Sequence, residues 1–343
     1  MVSQDPSFPQ GYRFWDSWYL HSHGEFHALM LCAEQHYYEA GDHHEYSRLA
    51  YARSRDLIHW DGHKVVLAAE ANASIWSGSV IRWGGEYLLA YTIRRTIRDY
   101  FAGQTIGLAR STDFVNWVRF DGELTIDDVD PDGRYFLSSP EVSRDRTVHA
   151  WRDPYLFVYR DQLLMLVAAK RHDVPPDRRG CVALLRADQN GSSNFRWRLM
   201  SPSLVSGYEE LEVPQVYVDQ RRRAWVIAST WDDSDYEISW LRGNRPTVKS
   251  SPQPYRRHGY LLGFRASSID ALLDGDFDDD NTGAVLLGPE AMLYAGRIVP
   301  EQPGTVLGFD PRTGSPKVVR RELPTAFEYV TPSVHRFARS QSA

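Results

Sequence analysis

The segment SRDLIHW at residues 54–60 recurs 57 residues later as STDFVNW at residues 111–117. Both copies keep a serine, an aspartate two positions later and a closing tryptophan, and both follow two short apolar runs. A looser third copy extends from Leu185 to Trp197. Repeat units of roughly 50 to 70 residues with about four strands each are typical of propeller blades. The repeat therefore predicts a β-propeller, and a length of 343 residues gives it about five blades.

Short apolar runs of strand length occupy the chain between clusters of Gly, Asp, Asn and Pro. Only residues 267–275 show a helical apolar period. The pattern predicts an all-β fold, namely a five-bladed β-propeller in a single domain over residues 1–343 with an ordered core over approximately 12–331. A β-sandwich is the alternative, and the repeat disfavours it. The runs are FHALMLCAE (26–34), SRLAYARS (47–54), EYLLAYTIR (86–94), TIGLARS (105–111), PYLFVY (154–159), QLLMLVAAK (162–170), CVALLRA (181–187) and AWVIAST (224–230).

Composition excludes several classes of protein. The chain is 42% hydrophobic and 24% charged, which is ordinary for a globular enzyme. Its formal net charge is −6 and it has no basic stripe, so we expect no nucleic acid polymer as a partner. No apolar stretch approaches the roughly 20 residues of a membrane span, and the N-terminus lacks the basic and apolar regions of a secretion signal. We therefore expect a cytoplasmic protein without a membrane partner.

Three acidic residues lie in aromatic surroundings near the starts of predicted blades: Asp16 in FWDSWYL, Asp153 in WRDPYLF and Glu212 in EELEVPQVY. The innermost strand of each propeller blade lines the central channel, so these side chains can converge on one pocket. Two carboxylates beside tryptophans suit cleavage of a glycosidic bond, because one protonates the leaving oxygen and the other meets the oxocarbenium-like carbon. The three acids are therefore the candidate catalytic residues.

Four blocks carry a resemblance to a known group of enzymes: FWDSWYL (14–20), IWSGSV (75–80), WRDPYLF (151–157) and ELEVPQVY (210–217). In sequence and in order, they resemble the signature blocks of the levansucrases and invertases, glycoside hydrolase families 68 and 32. The resemblance implies a five-bladed propeller that acts on β-fructofuranosides by a retaining, two-step mechanism. It fades beyond Pro214.

The resemblance also implies a role for each matching residue. Asp16 would be the nucleophile, Glu212 would be the general acid and then the base, and Asp153 would hold sugar hydroxyls. The residues implied in substrate binding are Trp15, Trp18, Trp76, Ser77, Arg152 and Glu210.

The chain departs from the pattern of these families in ways that affect the expected substrate. Tyr19 stands where levansucrases usually have proline, and the chain is too short for the additional β-sandwich of invertases. Without a secretion signal, we expect a small intracellular ketofuranoside rather than an extracellular polymer.

Four functions remain open on the sequence. The first is hydrolysis of a β-fructofuranoside or transfer of its fructosyl group. The second is an intracellular dehydratase of specialised metabolism, which would use the same acids to eliminate water from a ketohexofuranosyl nucleoside or a related small molecule. An inverting family 43-type arabinan or xylan hydrolase is disfavoured by WDSW and WSGS. A non-catalytic sugar-binding propeller is disfavoured by the intact acids.

No metal or other cofactor is predicted, and the predicted partner is a small sugar or sugar-containing metabolite. Histidines crowd the region from His21 to His44, but none has an acidic or cysteine partner at a firm ligand spacing. The acidic run from Asp274 to Asp280 lacks the mid-loop glycine and closing glutamate of an EF-hand, so a solvated loop is expected and calcium is left open. Oligomeric state is also left open.

Overall fold

Consecutive strands form five antiparallel sheets around a central axis, so the five-bladed β-propeller is confirmed and the β-sandwich interpretation is wrong. The structure is a computed structural model that describes residues 11–95, 103–145, 147–188, 195–231, 259–278 and 283–320. Residues beyond Arg320 lie outside this range, so the end of the ordered core near residue 331 stays a prediction. In the described parts of the chain, no helix has the length and apolarity needed to cross a bilayer.

Each blade is a meander in which every strand pairs with the next along the chain. The first contains β1 (Tyr12–Ser22), β2 (Glu25–Glu34), β3 (Arg48–Ser54) and β4 (Asp61–Leu67). The second contains β5 (Ala73–Trp83), β6 (Glu86–Arg95), β7 (Gln104–Ser111) and β8 (Val118–Arg119). The third contains β9 (Trp151–Tyr159), β10 (Gln162–Lys170), β11 (Gly180–Asp188) and β12 (Arg196–Tyr208). The fourth contains β13 (Glu212–Val218), β14 (Ala224–Trp231), β15 (Gly259–Ala266) and β16 (Ala284–Leu287), and the fifth contains β17 (Tyr294–Ile298), β18 (Thr305–Asp310) and β19 (Ser315–Arg320).

The helices of the described residues are short. They are α1 (Gln35–Ala40), α2 (Ser139–Asp145) and α3 (Ile269–Leu273), with 3₁₀ turns at His43–Glu45, Pro176–Arg178 and Pro289–Ala291. Helix α3 lies within the predicted helical stretch, and its N-cap Ser268 accepts a hydrogen bond from the Ala271 N–H at 3.1 Å. Helices α1 and α2 were not predicted, because six or seven residues are too few to establish a helical period.

Apolar side chains of the described residues form five clusters, and each lies mainly between two neighbouring blades. The ring closes where the last blade meets the first: Phe14 of β1 packs in one cluster with Leu307 of β18. The Phe14 N–H also donates to the Gly314 carbonyl at 2.9 Å. Burial of apolar area between blades stabilises the ring and fixes the inner strands around the channel.

The repeated segment is a turn between the third and fourth strands of a blade. In the first copy, Asp56 Oδ1 accepts hydrogen bonds from the Ile58 and His59 N–H groups at 2.9 and 2.8 Å. Leu57 takes a left-handed φ of 66°, and its carbonyl accepts from Trp60 Nε1 at 3.2 Å. The motif thus orders the turn and anchors its tryptophan in the core.

The second copy has the same geometry in the next blade. Asp113 Oδ1 accepts from the Val115 and Asn116 N–H groups at 2.9 and 2.8 Å, and Phe114 has a φ of 62°. Trp117 Nε1 donates to the Phe114 carbonyl at 3.0 Å. The looser third copy joins β11 to β12, and its middle, residues 189–194, lies outside the described residues.

Asp56→Ala and Asp113→Ala should each lower the free energy of unfolding by about 1 kcal/mol, because each leaves two turn N–H groups without their carboxylate acceptor. Hydrogen bonds, of which the one from the His59 side chain contributes most, hold the pKa of Asp56 below its ordinary value. The contribution is therefore present above about pH 4 and is lost as the pH falls towards the folded-state pKa. Urea unfolding at pH 7 and pH 3 measures it. Asp121→Ala, at an exposed turn position, is the control, and equal losses in all three variants would contradict the assignment.

Candidate active site

The inner strands are irregular where the predicted site residues lie. Strand pairing shifts by one residue at Asp16 in β1 and at Ser77 in β5. Asp153 of β9 and Val213 of β13 have positive φ values of 56° and 52°. Bulges and left-handed residues re-aim side chains that regular pleating would send elsewhere. The four inner strands therefore depart from regular geometry to present polar groups to the channel.

Asp16 is partly exposed and accepts a hydrogen bond from the Ser77 hydroxyl of the second blade. Burial of the carboxyl group raises the pKa of Asp16 to about 6. The Ser77 hydrogen bond opposes this rise, as does the positive charge of Arg297, whereas the negative charge of Glu212 adds to it. Asp16 is therefore mainly ionised at neutral pH.

Asp153 is 4% exposed and is held by backbone and side-chain groups of the adjacent blades. Its N–H donates to Thr92 Oγ1 at 2.8 Å, and its Oδ2 accepts from the Val213 N–H at 3.0 Å. Burial raises the pKa of Asp153, and Arg152 partly offsets that effect, whereas Glu212 and Asp16 reinforce it.

Arg152 joins Glu212, the first residue of β13, to Glu210, which lies in the connection before that strand. Its Nη2 donates to Glu212 Oε1 at 2.7 Å and to Glu210 Oε2 at 2.6 Å, and its Nη1 donates to the His149 carbonyl at 2.8 Å. The hydroxyl of Tyr294 donates to the other oxygen of Glu212. Burial opposes the charge on Arg152, but the carboxylates outweigh it and raise the pKa of the guanidinium, which remains charged.

The structure thus brings Asp16, Asp153 and Glu212 together from three blades. Thr92 links two of them, because its hydroxyl accepts from Asp153 and donates to the Ser77 carbonyl at 2.9 Å, while Ser77 holds Asp16. Asp153 in turn contacts the backbone of Val213, the residue after Glu212. The Glu212 carboxylate is connected to Asp153 through Arg152, whose Nη2 donates to Glu212 and whose Nε lies 3.7 Å from Asp153 Oδ2. The catalytic roles of the three acids stay predictions.

The three tryptophans predicted to bind substrate differ in their exposure. Trp76 is partly exposed, and its Nε1 donates to the His44 carbonyl at 2.9 Å. Trp15 and Trp18 are only 1% and 2% exposed and pack in the apolar cluster between the first two blades. In this placement they support the site from the core and present no open ring face. Their assignment to a sugar subsite stays a prediction that this packing does not favour.

Glu210 has both carboxylate oxygens against cations, Oε1 at 2.6 Å from Lys170 and Oε2 against Arg152. This arrangement anchors Arg152 directly. A role for Glu210 in binding substrate stays a prediction.

Tyr294, Arg297, Thr92 and Lys170 are contributors that sequence reasoning missed. Arg297 is 2% exposed, and it crosses from the fifth blade to donate to the Gly78 carbonyl at 3.1 Å and to the Pro214 carbonyl. No motif identifies either Tyr294 or Arg297, because both follow the point where the resemblance fades. Lys170 had one usable signal, since it is the only charged residue in the buried run QLLMLVAAK.

Histidines do not form a metal centre in the described residues, where no group of three or more His, Cys, Asp or Glu side chains could hold an ion. His43 packs edge-on against Trp15 with ring centroids 4.9 Å apart, and burial lowers the pKa of His43 to about 4. In the acidic run, Asp278 pairs with Arg265 at 2.6 Å. Asp279 and Asp280 lie outside the described residues.

Comparison with protein families assigns the chain. Residues 24–232 match the family described as the glycosyl hydrolases family 32 N-terminal domain. The chain therefore belongs to this family and is a glycoside hydrolase/fructosyltransferase-like enzyme. The matched segment contains Asp153 and Glu212, whereas Asp16 precedes it. None of the curated protein sequences compared with the chain matches it.

Solved structures with a similar fold include an inulosucrase, a levansucrase and a β-fructofuranosidase, all at low sequence identity. Inulosucrase from Halalkalicoccus jeotgali bound to kestose has 18% identity and a TM-score of 0.61, over 89% of this chain and 77% of that chain. Levansucrase from Bacillus subtilis in complex with oligosaccharides has 12% identity and a TM-score of 0.62, over 93% and 84%. The GH32 β-fructofuranosidase of Bombyx mori has 16% identity and a TM-score of 0.58, over 92% and 62%. At these identities the likeness shows the fold.

Proposed function

We propose that the protein processes a β-fructofuranoside by a retaining, two-step mechanism, with hydrolysis or fructosyl transfer as the outcome. The observation that carries the proposal is the meeting of three carboxylates from three blades: hydrogen bonds through Ser77 and Thr92 link Asp16 to Asp153, and Arg152 pairs with both Asp153 and Glu212. Family membership and the kestose- and oligosaccharide-bound propellers of similar fold support a fructosyl-containing substrate.

In the first step, the Asp16 carboxylate attacks the anomeric carbon while Glu212 protonates the leaving oxygen. The products of this step are the free leaving group and a fructosyl ester of Asp16. In the second step, Glu212 takes a proton from water or from an acceptor alcohol, which displaces Asp16 from the anomeric carbon. Asp153 accepts hydrogen bonds from sugar hydroxyls, and Arg152 keeps Glu212 oriented.

A substrate panel tests the proposal. Purified protein is incubated with sucrose, kestose and simple alkyl β-fructofuranosides, and free fructose and transfer products are measured by chromatography. We expect fructose or a fructosylated acceptor from at least one of them. A product lighter by one water, with its glycosidic bond intact, would instead indicate the dehydratase.

The rate should fall as the pH drops through about 6, because protonation of Asp16 removes the nucleophile. Ser77→Ala should move this acid limb to higher pH, since the Ser77 hydrogen bond lowers the pKa of Asp16. The pH dependence of kcat/KM for both proteins measures the two effects. An acid limb near pH 4, or one that Ser77→Ala leaves in place, would contradict this account of Asp16.

A further inference from the structure

Lys170 is a charged residue with no exposed side-chain surface, at the end of the second strand of the third blade. Its Nζ lies 2.6 Å from Glu210 Oε1 and donates to the Glu209 carbonyl at 2.6 Å. Burying an ammonium group is costly unless it is paired and hydrogen-bonded. The structure retains this charge against Glu209 and Glu210, which closely precede the candidate acid/base Glu212 in sequence.

A chain of contacts connects Lys170 with Glu212. Glu210 offers one oxygen to Lys170 and the other to Arg152 Nη2, at 2.6 Å in both cases. Arg152 Nη2 also donates to Glu212 Oε1 at 2.7 Å. Since a guanidinium Nη carries two hydrogens, this nitrogen can serve each glutamate with one. Two cations and two carboxylates alternate in the order Lys170, Glu210, Arg152, Glu212.

We propose that Lys170 is a positioning residue for the reaction: it holds Glu210, so that Arg152 is shared between Glu210 and Glu212 and Glu212 is fixed in place. This inference rests on the proposed function of Glu212. Carboxylates favour bidentate pairing with arginine. Without Lys170, both oxygens of Glu210 would pair with Arg152, and Arg152 would no longer hold Glu212.

The charged groups around Lys170, Glu210, Arg152 and Glu212 determine how the loss of the Lys170 charge would affect the site. Asp153 Oδ2 lies 3.7 Å from Arg152 Nε, the Tyr294 hydroxyl donates to Glu212 Oε2, and the negative charge of Glu212 acts on Asp16. The ring of His149 is 1% exposed, and burial, with the charge of Arg152, lowers the pKa of His149 to about 4, so this ring adds no positive charge at neutral pH. Removing Lys170 therefore makes the site more negative, which favours the protonated forms of its carboxylic acids.

Kinetics of Lys170→Met and Lys170→Arg test the proposal, with Lys64→Met as the matched control at an exposed position. Lys170→Met should lower kcat on the order of tenfold to a hundredfold, because misplacing Glu212 removes part of the rate enhancement that general acid–base catalysis provides. KM should change by less than about threefold. Its pH optimum should rise by about 0.5 to 1 unit. Lys170→Arg should restore much of kcat and the original optimum, and Lys64→Met should match the wild type.

A merely structural role would lower the melting temperature without moving the pH optimum. If Lys170→Met does not fold, Lys170→Gln serves for the same comparison, because it keeps a donor without the charge. A folded variant without the charge that retains the wild-type kcat and pH optimum would overturn the proposal.

Crystal structures of the wild type and the Lys170→Met variant separate this inference from the proposed function, because they need no substrate. We expect Arg152 to move onto both oxygens of Glu210 and to lie more than about 3.5 Å from Glu212 in the variant. An Arg152 that stays hydrogen-bonded to Glu212 would overturn the role of Lys170 whatever the substrate is. Absence of fructosyl activity in the wild type, with Arg152 displaced from Glu212 in the variant, would count against the proposed function alone.

Discussion

Asp16→Asn should reduce kcat/KM on a β-fructofuranoside by at least about a thousandfold, because an amide cannot form the fructosyl ester. Asparagine keeps the shape of the side chain and an oxygen that accepts from Ser77, so the network around it is preserved. Steady-state kinetics on the best substrate of the panel measure the loss.

Stability provides an internal check on this variant. Burial raises the folded-state pKa of Asp16 to about 6. Ionisation of Asp16 therefore opposes folding increasingly as the pH rises from the unfolded-state pKa of this carboxyl group towards 6. Asparagine removes that cost, and the melting temperature at pH 7 should equal or exceed that of the wild type. Exposed Asp121→Asn is the matched control and should keep full activity. Asp16→Asn with at least a tenth of wild-type kcat/KM would refute the nucleophile assignment.

Glu212→Gln should reduce kcat/KM by about 100- to 10,000-fold on substrates with an alcohol leaving group, because no proton reaches the departing oxygen. The glutamine oxygen can still accept from Arg152, so the change removes mainly the titrating proton. A β-fructofuranosyl fluoride has a leaving group that needs no protonation, and its first step should be largely retained by the variant.

Pre-steady-state measurement on the fluoride separates the two steps. A burst of fluoride followed by slow turnover is expected of Glu212→Gln, since the variant also lacks the base that activates water. Equal losses on the fluoride and on sucrose would show that Glu212 does not act as the acid. The Asp16→Asn variant should release no burst with either substrate.

Much of the fold was predictable from local chemistry. The aspartate of the repeated segment caps two N–H groups in each of the first two copies, so the same residue types recur at this turn in the first and second blades. All eight apolar runs form strands. They could be predicted because the length of an apolar run and the turn residues that flank it are local properties of the sequence. The first two helices were missed because each spans less than two full turns.

The site was predictable where a motif marked it and not where ring closure supplied it. Asp16, Asp153 and Glu212 lie in recognisable blocks. Tyr294 and Arg297 reach the site only because the fifth blade packs against the first and fourth, which no local pattern encodes. Trp15 and Trp18 share the FWDSWYL block with Asp16, yet the bulge at Asp16 leaves both rings in the core.

The stereochemistry of transfer to methanol tests the central claim most directly, because a methyl fructofuranoside, unlike free fructose, does not interconvert between anomers. Wild-type protein is incubated with its β-fructofuranoside substrate and methanol, and the product is identified by NMR. Two displacements through Asp16 predict the methyl β-fructofuranoside. The α-anomer would indicate inversion, and a dehydrated product with the original glycosidic bond intact would indicate elimination; either result would contradict retaining fructosyl transfer.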